Sequence, residues 1–400
     1  MVTKPIERAL ELRRTLISED KSRVTVVDFT DTLQGKDTSR VIDLMPNTTT
    51  GAYPFRTKIN IKDIDPAAAE VYGKDFFDIT KASDREIEEH LRAQEFDFPI
   101  WFKHNPNFQM KRVMDYNSPF IFQVAGCNFH DGSAKGGCWY CFVDDASNDG
   151  LPGKNKTTLS VEETVDSMLH ARQKIGQFYK TLGKDVNLSV LRASGGEPTI
   201  VLDWILNLWR EIERRGCDFV GQLDSNLSTA SVVERFEQEG VFEKDTLYKL
   251  AKYPVKVLTA LKGISQENLE SNVQSTATLA MQEHSLRKFL SAGFDIYPQM
   301  YNPNPNQLEK YLENIDSVIE KLSLRIHIGP LKVYGPTKLR LTLEAQSKGI
   351  DTQELIKKKT EEWDANYKKS CEILDNYLRK TYGVGYKQTT RSDISLKLKK

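Results

Sequence analysis

An α/β fold built on a parallel sheet is predicted for this 400-residue chain, and two observations predict it. From residue 119 onward, apolar strand-like runs at 119–125, 186–193, 217–224, 255–261, 294–301 and 324–333 alternate with helical stretches at 160–182, 200–215, 229–251, 266–292 and 305–322. Glycines at 183, 216 and 293 stand near helix ends, where a left-handed residue closes a helix. Six β runs with five intervening helices imply right-handed crossovers, as in an open doubly wound sheet or an incomplete β/α barrel. In either arrangement an active site lies at the C-terminal ends of the strands.

The flanking elements follow from local signals. Residues 4–17 form an amphipathic helix with Pro5 in its first turn, and residues 22–30 and 55–61 are strands separated by loop. Asp65-Pro66 opens a short helix, and Ser83 with Glu86 makes a capping box for a charged helix running to about Gln94. Ser160 and Glu163 make a second capping box at the start of the first crossover helix. Residues 352–382 form one long helix on which Trp363, Tyr367, Leu374 and Leu378 share a packing face. The tail after Gly385 is Lys-rich and polar, and is expected to be loose. The organisation is therefore an N-terminal α+β extension (1–115) without a recognisable chemical motif, a repeating β/α region (116–340), and a C-terminal helix with a basic tail (341–400).

Composition narrows the classes. Lys plus Arg and Asp plus Glu number 56 each, so no net field draws the chain to nucleic acid or acidic lipid. No run of about eighteen apolar residues is present to span a membrane. The N-terminal residues lack the apolar stretch of a signal peptide, which makes the cytoplasm the expected compartment. There, clustered cysteines more often hold metal or do catalysis than form disulfides.

Three of the five cysteines, Cys127, Cys138 and Cys141, fall within fifteen positions directly after the first strand of the repeating region. Thiolates suit zinc or an iron–sulfur cluster. Three of them can hold three irons of a [4Fe–4S] cluster, leaving the fourth open. With His130 they equally supply a Cys3His set for structural zinc, in a zinc-stabilised nucleotide- or nucleic-acid-binding protein. After the second strand comes Ser194-Gly195-Gly196-Glu197-Pro198-Thr199, whose glycines admit a ligand close to the backbone. After the third comes Asp224-Ser225-Asn226, suited to a ribose or, taken alone, to a helix N-cap. Lys262 follows the fourth strand. Cys217 and Cys371 are read as small buried apolar residues, too few to hold a second four-iron cluster.

On these residues the sequence resembles the radical S-adenosylmethionine superfamily. Gly126-Cys127-Asn128 and Cys138-Trp139-Tyr140-Cys141 are similar to its Cys-x3-Cys-x-aromatic-Cys element, although ten residues rather than three separate the first two cysteines. Ser194 to Pro198 resembles its Gly-Gly-Glu-Pro stretch, Asp224-Ser225-Asn226 the Asp-Thr-Asn-Gly of the activating-enzyme branch, and Leu261-Lys262 that branch's Asp-Leu-Lys. Here Leu227 and Ala260 replace the glycine and the aspartate of those elements.

The resemblance covers roughly residues 119–335 and implies a partial (β/α)6 TIM-like barrel. It implies a [4Fe–4S] cluster on Cys127, Cys138 and Cys141, with S-adenosylmethionine on the open iron. Around that cofactor it places Gly195, Gly196 and Glu197 at the amino group, Asp224, Ser225 and Asn226 at the ribose, Lys262 at the carboxylate, and Tyr140 and Phe142 near the adenine. The activity implied is reductive cleavage to a 5′-deoxyadenosyl radical that abstracts hydrogen from a substrate, with electrons from a donor such as ferredoxin or flavodoxin. The substrate (protein, peptide, RNA or small molecule) is not legible. The Gly-rich segment between Cys127 and Cys138 is expected to be flexible and to loop out.

Overall fold

The computed structural model describes residues 4–37, 43–57, 77–78, 80–83, 85–87, 89, 119–133, 136–389 and 391–399. Its strands are β1 (Arg23–Val27), β2 (Asp43–Met45), β3 (Phe55–Thr57), β4 (Phe120–Val124), β5 (Gly137–Cys138), β6 (Lys156–Ser160), β7 (Val190–Gly195), β8 (Val220–Ser225), β9 (Val255–Leu261), β10 (Val273–Gln274), β11 (Ile296–Tyr301), β12 (Ile319–Glu320), β13 (His327–Gly329) and β14 (Lys397–Leu398). The main sheet runs β6-β1-β4-β7-β8-β9-β11-β13. From β4 to β13 every pairing is parallel. Within that set each strand lies beside its predecessor, so the order never reverses. This is the single winding of a β/α barrel, without the reversal point of a doubly wound sheet. Among the described residues β13 pairs only with β11, so the ring is open: a partial (β/α)6 barrel.

The other edge is closed by antiparallel strands. β1 pairs with β4 and along its length with β6, and β3 also joins β4. The N-terminal residues are thereby hydrogen-bonded into the same sheet that carries the cysteines.

Strand side chains alternate between faces. Phe120, Phe122 and Val124 of β4, Leu191 and Ala193 of β7, Leu223 of β8, Val255 and Val257 of β9, and Ile296 and Met300 of β11 enter the main hydrophobic core with the crossover helices. Gly221 confirms the direction, because a side chain there would strike Trp209 of the helix Leu202–Arg214. The opposite, concave face carries Ile121, Gln123, Val190, Arg192, Val220, Gln222, Asp224, Lys256, Leu258, Ala260, Tyr297 and Gln299. A closed barrel of this kind is normally filled by branched apolar side chains; this interior mixes such residues with polar and charged ones.

Helix signals explain most boundaries. Ser160 Oγ accepts from the Glu163 N–H at 3.2 Å while the Glu163 carboxylate accepts from the Ser160 N–H at 3.3 Å, the expected capping box. Gly183, Gly216 and Gly293 all take positive φ at helix ends. Two expected helices are broken. The stretch 229–251 divides into Ala230–Gln238 and Thr246–Leu250 around Gly240 (φ 71°) and Asp245 (φ 61°). The stretch 266–292 divides into Gln266–Asn272 and Leu279–Ser291, each with its own cap (Ser265, Thr278), because β10 between them pairs with β5. The strand expected at 324–333 contracts to β13, preceded by the short helix Leu322–Arg325. A helix not read from the sequence, Gly335–Lys348, starts on Pro336 and stops at Gly349 (φ 64°). The long helix Thr352–Tyr382 stands as expected.

The helix at Asp65-Pro66, the strand beyond residue 57 and most of the helix after Ser83 lie outside the described residues. The Ser83–Glu86 box itself is present, with bonds of 2.7 and 3.2 Å.

The C-terminal tail is not loose. Tyr386 is buried, its hydroxyl accepts from the Ile328 N–H at 2.9 Å, and β14 pairs with β12. Arg325 Nε donates to the Ile394 carbonyl at 2.6 Å. Polar composition concealed an anchor of one aromatic residue and a short edge strand. Tyr386→Phe, which strands the buried Ile328 N–H, is expected to cost about 1–3 kcal/mol in urea-induced unfolding. An unchanged midpoint would show that the tail does not hold β13.

Candidate active site

The C-terminal ends of the parallel strands bring the sequence-nominated residues to one end of the barrel. The exits of β4 and β7 cross in near contact. The Gly196 N–H donates to the Val124 carbonyl at 3.0 Å and the Glu197 N–H to the Gly126 carbonyl at 2.8 Å. A β-carbon on Gly196 would overlap the Gly126 carbonyl, and one on Gly195 (φ 91°) would strike Gln123. Both glycines are therefore required by close approach as well as by conformation.

Glu197 is fully buried. Its carboxylate accepts from the Asn226 N–H at 2.6 Å and from the Thr199 hydroxyl, so it straps the tip of β7 to the tip of β8. Burial pushes its pKa up to about 7 against the opposing pull of those hydrogen bonds. Ser225 Oγ accepts from the Leu227 N–H at 3.1 Å. Leu227, which stands where a glycine is usual, is left-handed (φ 61°) and buried. The turn geometry is kept without the glycine, at a strain of about 1–2 kcal/mol. Asp224 on the concave face receives Arg192 through Nε at 2.9 Å and Nη2 at 2.7 Å, and Gln222 at 3.0 Å.

The three thiols sit together under a second hydrophobic cluster. It comprises Phe129, Cys138, Tyr140, Leu269, Val273, Ala277, Leu341, Ala345, Leu355 and Trp363, with Cys127, Cys141 and Tyr301 packed against it. Burial raises the Cys127 and Cys138 thiols, while Lys262 and Arg340 pull Cys138 the other way. Lys262 Nζ lies against Cys138 and between two rings, 5.5 Å from the Tyr140 centroid and 5.9 Å from that of Tyr301. Burial alone would lower the Lys262 ammonium, but the surrounding thiols and phenols outweigh it and raise it. The Tyr140 hydroxyl is buried and has no hydrogen-bond partner among the described residues. Phe142 stacks with the guanidinium of Arg56 at 5.5 Å. Cys217 and Cys371 are half-buried against the main core.

The described residues directly after Cys127 are not looped out. Asn128, Phe129 and His130 are all buried. His130 Nδ1 accepts from the Gly132 N–H at 2.8 Å and its Nε2 meets the Asp145 carboxylate at 2.9 Å. Both ring nitrogens are thus committed, and the accepting Nδ1 places the proton on Nε2. Asp145 also pairs with Arg340 of the helix Gly335–Lys348, whose guanidinium holds the carbonyls of Cys141 and Val143. From the N-terminal side, Arg8 donates to the His130 carbonyl at 3.2 Å and to the Asp149 carbonyl at 2.6 Å. The N-terminal helix Pro5–Leu16 and the helix Gly335–Lys348 therefore grip the cysteine loop from two sides. Neither Arg8 nor Arg340 carries a sequence signal, since each sits in an ordinary amphipathic helix.

Among the described residues no three His, Cys, Asp or Glu side chains are placed to hold a single metal ion. A closed zinc site draws its sulfurs to about 3.8 Å of one another, whereas the ligands of a four-iron cluster sit on separate irons. The donor set of three grouped thiols, with no histidine nitrogen to spare, fits the cluster better.

No protein-family model and no curated protein matches the sequence. Among solved structures, the chain is similar to the cobalamin-dependent S-adenosylmethionine radical enzyme OxsB with aqua-cobalamin bound. That match has a TM-score of 0.37 at 12% identity over 58% of this chain and 36% of the other. It is also similar to the same enzyme with aqua-cobalamin and S-adenosylmethionine bound, with a TM-score of 0.35 at 16% identity over 60% and 30%. The chain spans about a third of the length of these structures. Likeness at this level identifies neither family nor activity.

Arg340→Ala removes the guanidinium shared by the half-buried Asp145 carboxylate and the Cys141 and Val143 carbonyls, leaving His130 on Asp145 and Thr337 on Cys141 as the other partners. It is expected to destabilise the protein by about 3 kcal/mol, measured by denaturant unfolding. A loss below about 0.5 kcal/mol would mean that the cysteine loop does not depend on the helix Gly335–Lys348.

Proposed function

We propose that this chain is a radical S-adenosylmethionine enzyme. The observation that carries the reading is the meeting of three grouped thiols, Cys138 buried and Cys127 and Cys141 half-buried, with the Gly195-Gly196-Glu197 turn, Asn226 and Lys262 at one end of a singly wound barrel. Cys127, Cys138 and Cys141 would hold a [4Fe–4S] cluster and leave its fourth iron for the cofactor. When bound, this group supplies one electron to the sulfonium, so that a carbon–sulfur bond breaks and a 5′-deoxyadenosyl radical is released to take a hydrogen atom from substrate.

The chain's own residues position and exclude. The Gly196 and Glu197 N–H groups are spent on the Val124 and Gly126 carbonyls, so a ligand's ammonium would be received by carbonyls at this strand exit, and Glu197 holds that turn. Asp224 retains acceptor capacity beyond its bonds to Arg192 and Gln222 and, with Ser225 and Asn226, suits a ribose. Lys262 offers a half-buried cation for a carboxylate. Tyr140 and Phe142 offer ring faces for an adenine. The apolar cluster over the thiols keeps water from them. The concave face below, with Arg192, Gln222 and Gln299, suits a polar substrate (a protein, peptide, RNA or small molecule). A ferredoxin or flavodoxin would supply the electron. The hydrogen bonds on both His130 nitrogens favour this reading over the zinc-stabilised alternative, which needs one of them as its fourth ligand.

Anaerobically reconstituted protein is expected to bind about four irons per chain and absorb near 400 nm. Cys138→Ala should abolish both iron binding and cleavage of S-adenosylmethionine under reducing conditions, whereas His130→Asn should retain iron. Stoichiometric zinc without iron, or cleavage surviving in Cys141→Ala, would sink the reading.

A further inference from the structure

Two of the three grouped thiols have a buried side-chain amide aimed at the sulfur. Asn226 Nδ2 lies 3.9 Å from Cys127 Sγ, and Asn148 Nδ2 lies 4.0 Å from Cys141 Sγ. Both asparagines are buried. Lys262, beside Cys138, gives the third thiol a cationic neighbour.

The orientation of the Asn226 amide is fixed by a closed ring of hydrogen bonds. Asn226 Nδ2 donates to Asn128 Oδ1 at 2.8 Å, Asn128 Nδ2 donates to Ser228 Oγ at 2.7 Å, and Ser228 Oγ donates to Asn226 Oδ1 at 2.5 Å. Flipping Asn226 would set acceptor against acceptor at Asn128 Oδ1, and flipping Asn128 would set donor against donor at Asn226 Nδ2. One Asn226 N–H is spent in the ring, which leaves the other for Cys127. Asn128 is anchored in turn by donating to the Pro5 carbonyl at 3.2 Å. Asn148 is fixed by its backbone: its carbonyl accepts the Cys127 N–H at 3.0 Å, and its own N–H donates to Asp145 at 3.0 Å. One residue thus ties the backbone of the first cysteine to the sulfur of the third.

We propose that the side-chain amides of Asn148 and Asn226 are a built-in donor set for the sulfurs of Cys141 and Cys127, and that they set the reduction potential of the cluster those sulfurs hold. The inference rests on the reading of the three cysteines as cluster ligands. Its physical basis is that hydrogen bonds to ligand sulfurs drain negative charge and favour the reduced, more negative state. Asn148 is a positioning residue: it touches a ligand sulfur and no substrate. A role in packing alone would alter stability and iron occupancy and would leave the potential of the loaded cluster unmoved.

The experiment is an anaerobic redox titration of the iron-loaded full-length chain, followed by electron paramagnetic resonance. Asn148→Leu removes the donor at similar volume. It should bind as much iron as the wild type, while its ratio of reduced to oxidised cluster at a fixed solution potential falls about tenfold, equivalent to about 59 mV for a one-electron couple. Asn148→Asp, which replaces the donor by a negative acceptor, should fall at least as far. An unchanged ratio in either iron-loaded variant overturns the proposal. A wild-type measurement does not depend on the variants folding. In protein labelled with nitrogen-15 at asparagine side-chain amides, the reduced cluster should show hyperfine coupling to that nitrogen, and its absence overturns the proposal. Wild-type protein that takes up no iron would instead overturn the cluster reading itself.

Discussion

The close crossing of two backbones, with Gly196 lying against the Gly126 carbonyl, is the constraint on which the rest of the site depends. It brings the exit of β7 onto the exit of β4, immediately before Cys127, and admits no side chain at the contact. Once the two exits touch, Glu197 must turn inward, and the partners in reach are the Thr199 hydroxyl and the Asn226 N–H at the next strand tip. Three successive strand ends are thereby tied by one carboxylate and two backbone bonds. Asn226, held in that position, presents its side chain to Cys127. The sequence of dependencies runs from a steric requirement for glycine to the placement of a sulfur.

This arrangement concentrates groups that are costly to bury. Three thiols, a carboxyl, a lysine and an arginine share a region roofed by aromatic and aliphatic side chains. Each carries a desolvation penalty when charged. The penalties are partly offset pairwise: Lys262 stands by Cys138, Arg340 by Asp145, and amide donors by Cys127 and Cys141. The direction of the imbalance is informative. Burial pushes the Cys127 and Cys138 thiols up, and the groups placed beside the three sulfurs are a cation and two amide donors.

Much of this was legible in the sequence because it is local. The β/α alternation, the capping box of Ser160 and Glu163, the helix-ending glycines and the grouping of Cys127, Cys138 and Cys141 are short-range patterns. Strand order was not legible: alternation alone permits either winding, and only the parallel pairing of β4, β7, β8, β9, β11 and β13 in sequence distinguishes the barrel. Also hidden were contacts between residues far apart in the chain. Arg340 meets Asp145 across 195 positions, and Asn226 meets Asn128 across 98. The segment from Asn128 to Gly137 looked flexible by its glycines. In the fold those glycines serve close approach instead: a side chain at Gly137 would strike His130, and one at Gly132 would strike Asp149. The polar tail misled in the same way, since one buried tyrosine outweighs a run of lysines.

The grip on the cysteine loop gives the flanking regions a role that composition could not assign. A loop of ten residues between Cys127 and Cys138 has considerable freedom to lose, and ordering each residue costs about 1–2 kcal/mol. Buried Phe129 and His130, the His130–Asp145–Arg340 relay and the Arg8 bonds offset that cost by fixing the loop from both ends of the chain. The N-terminal helix and the helix Gly335–Lys348 are for this reason parts of the site and not appendages to the barrel. Their grip also leaves the concave face undisturbed. The clamps act on the loop from outside the strand ends, whereas Arg192, Gln222 and Gln299 line the interior.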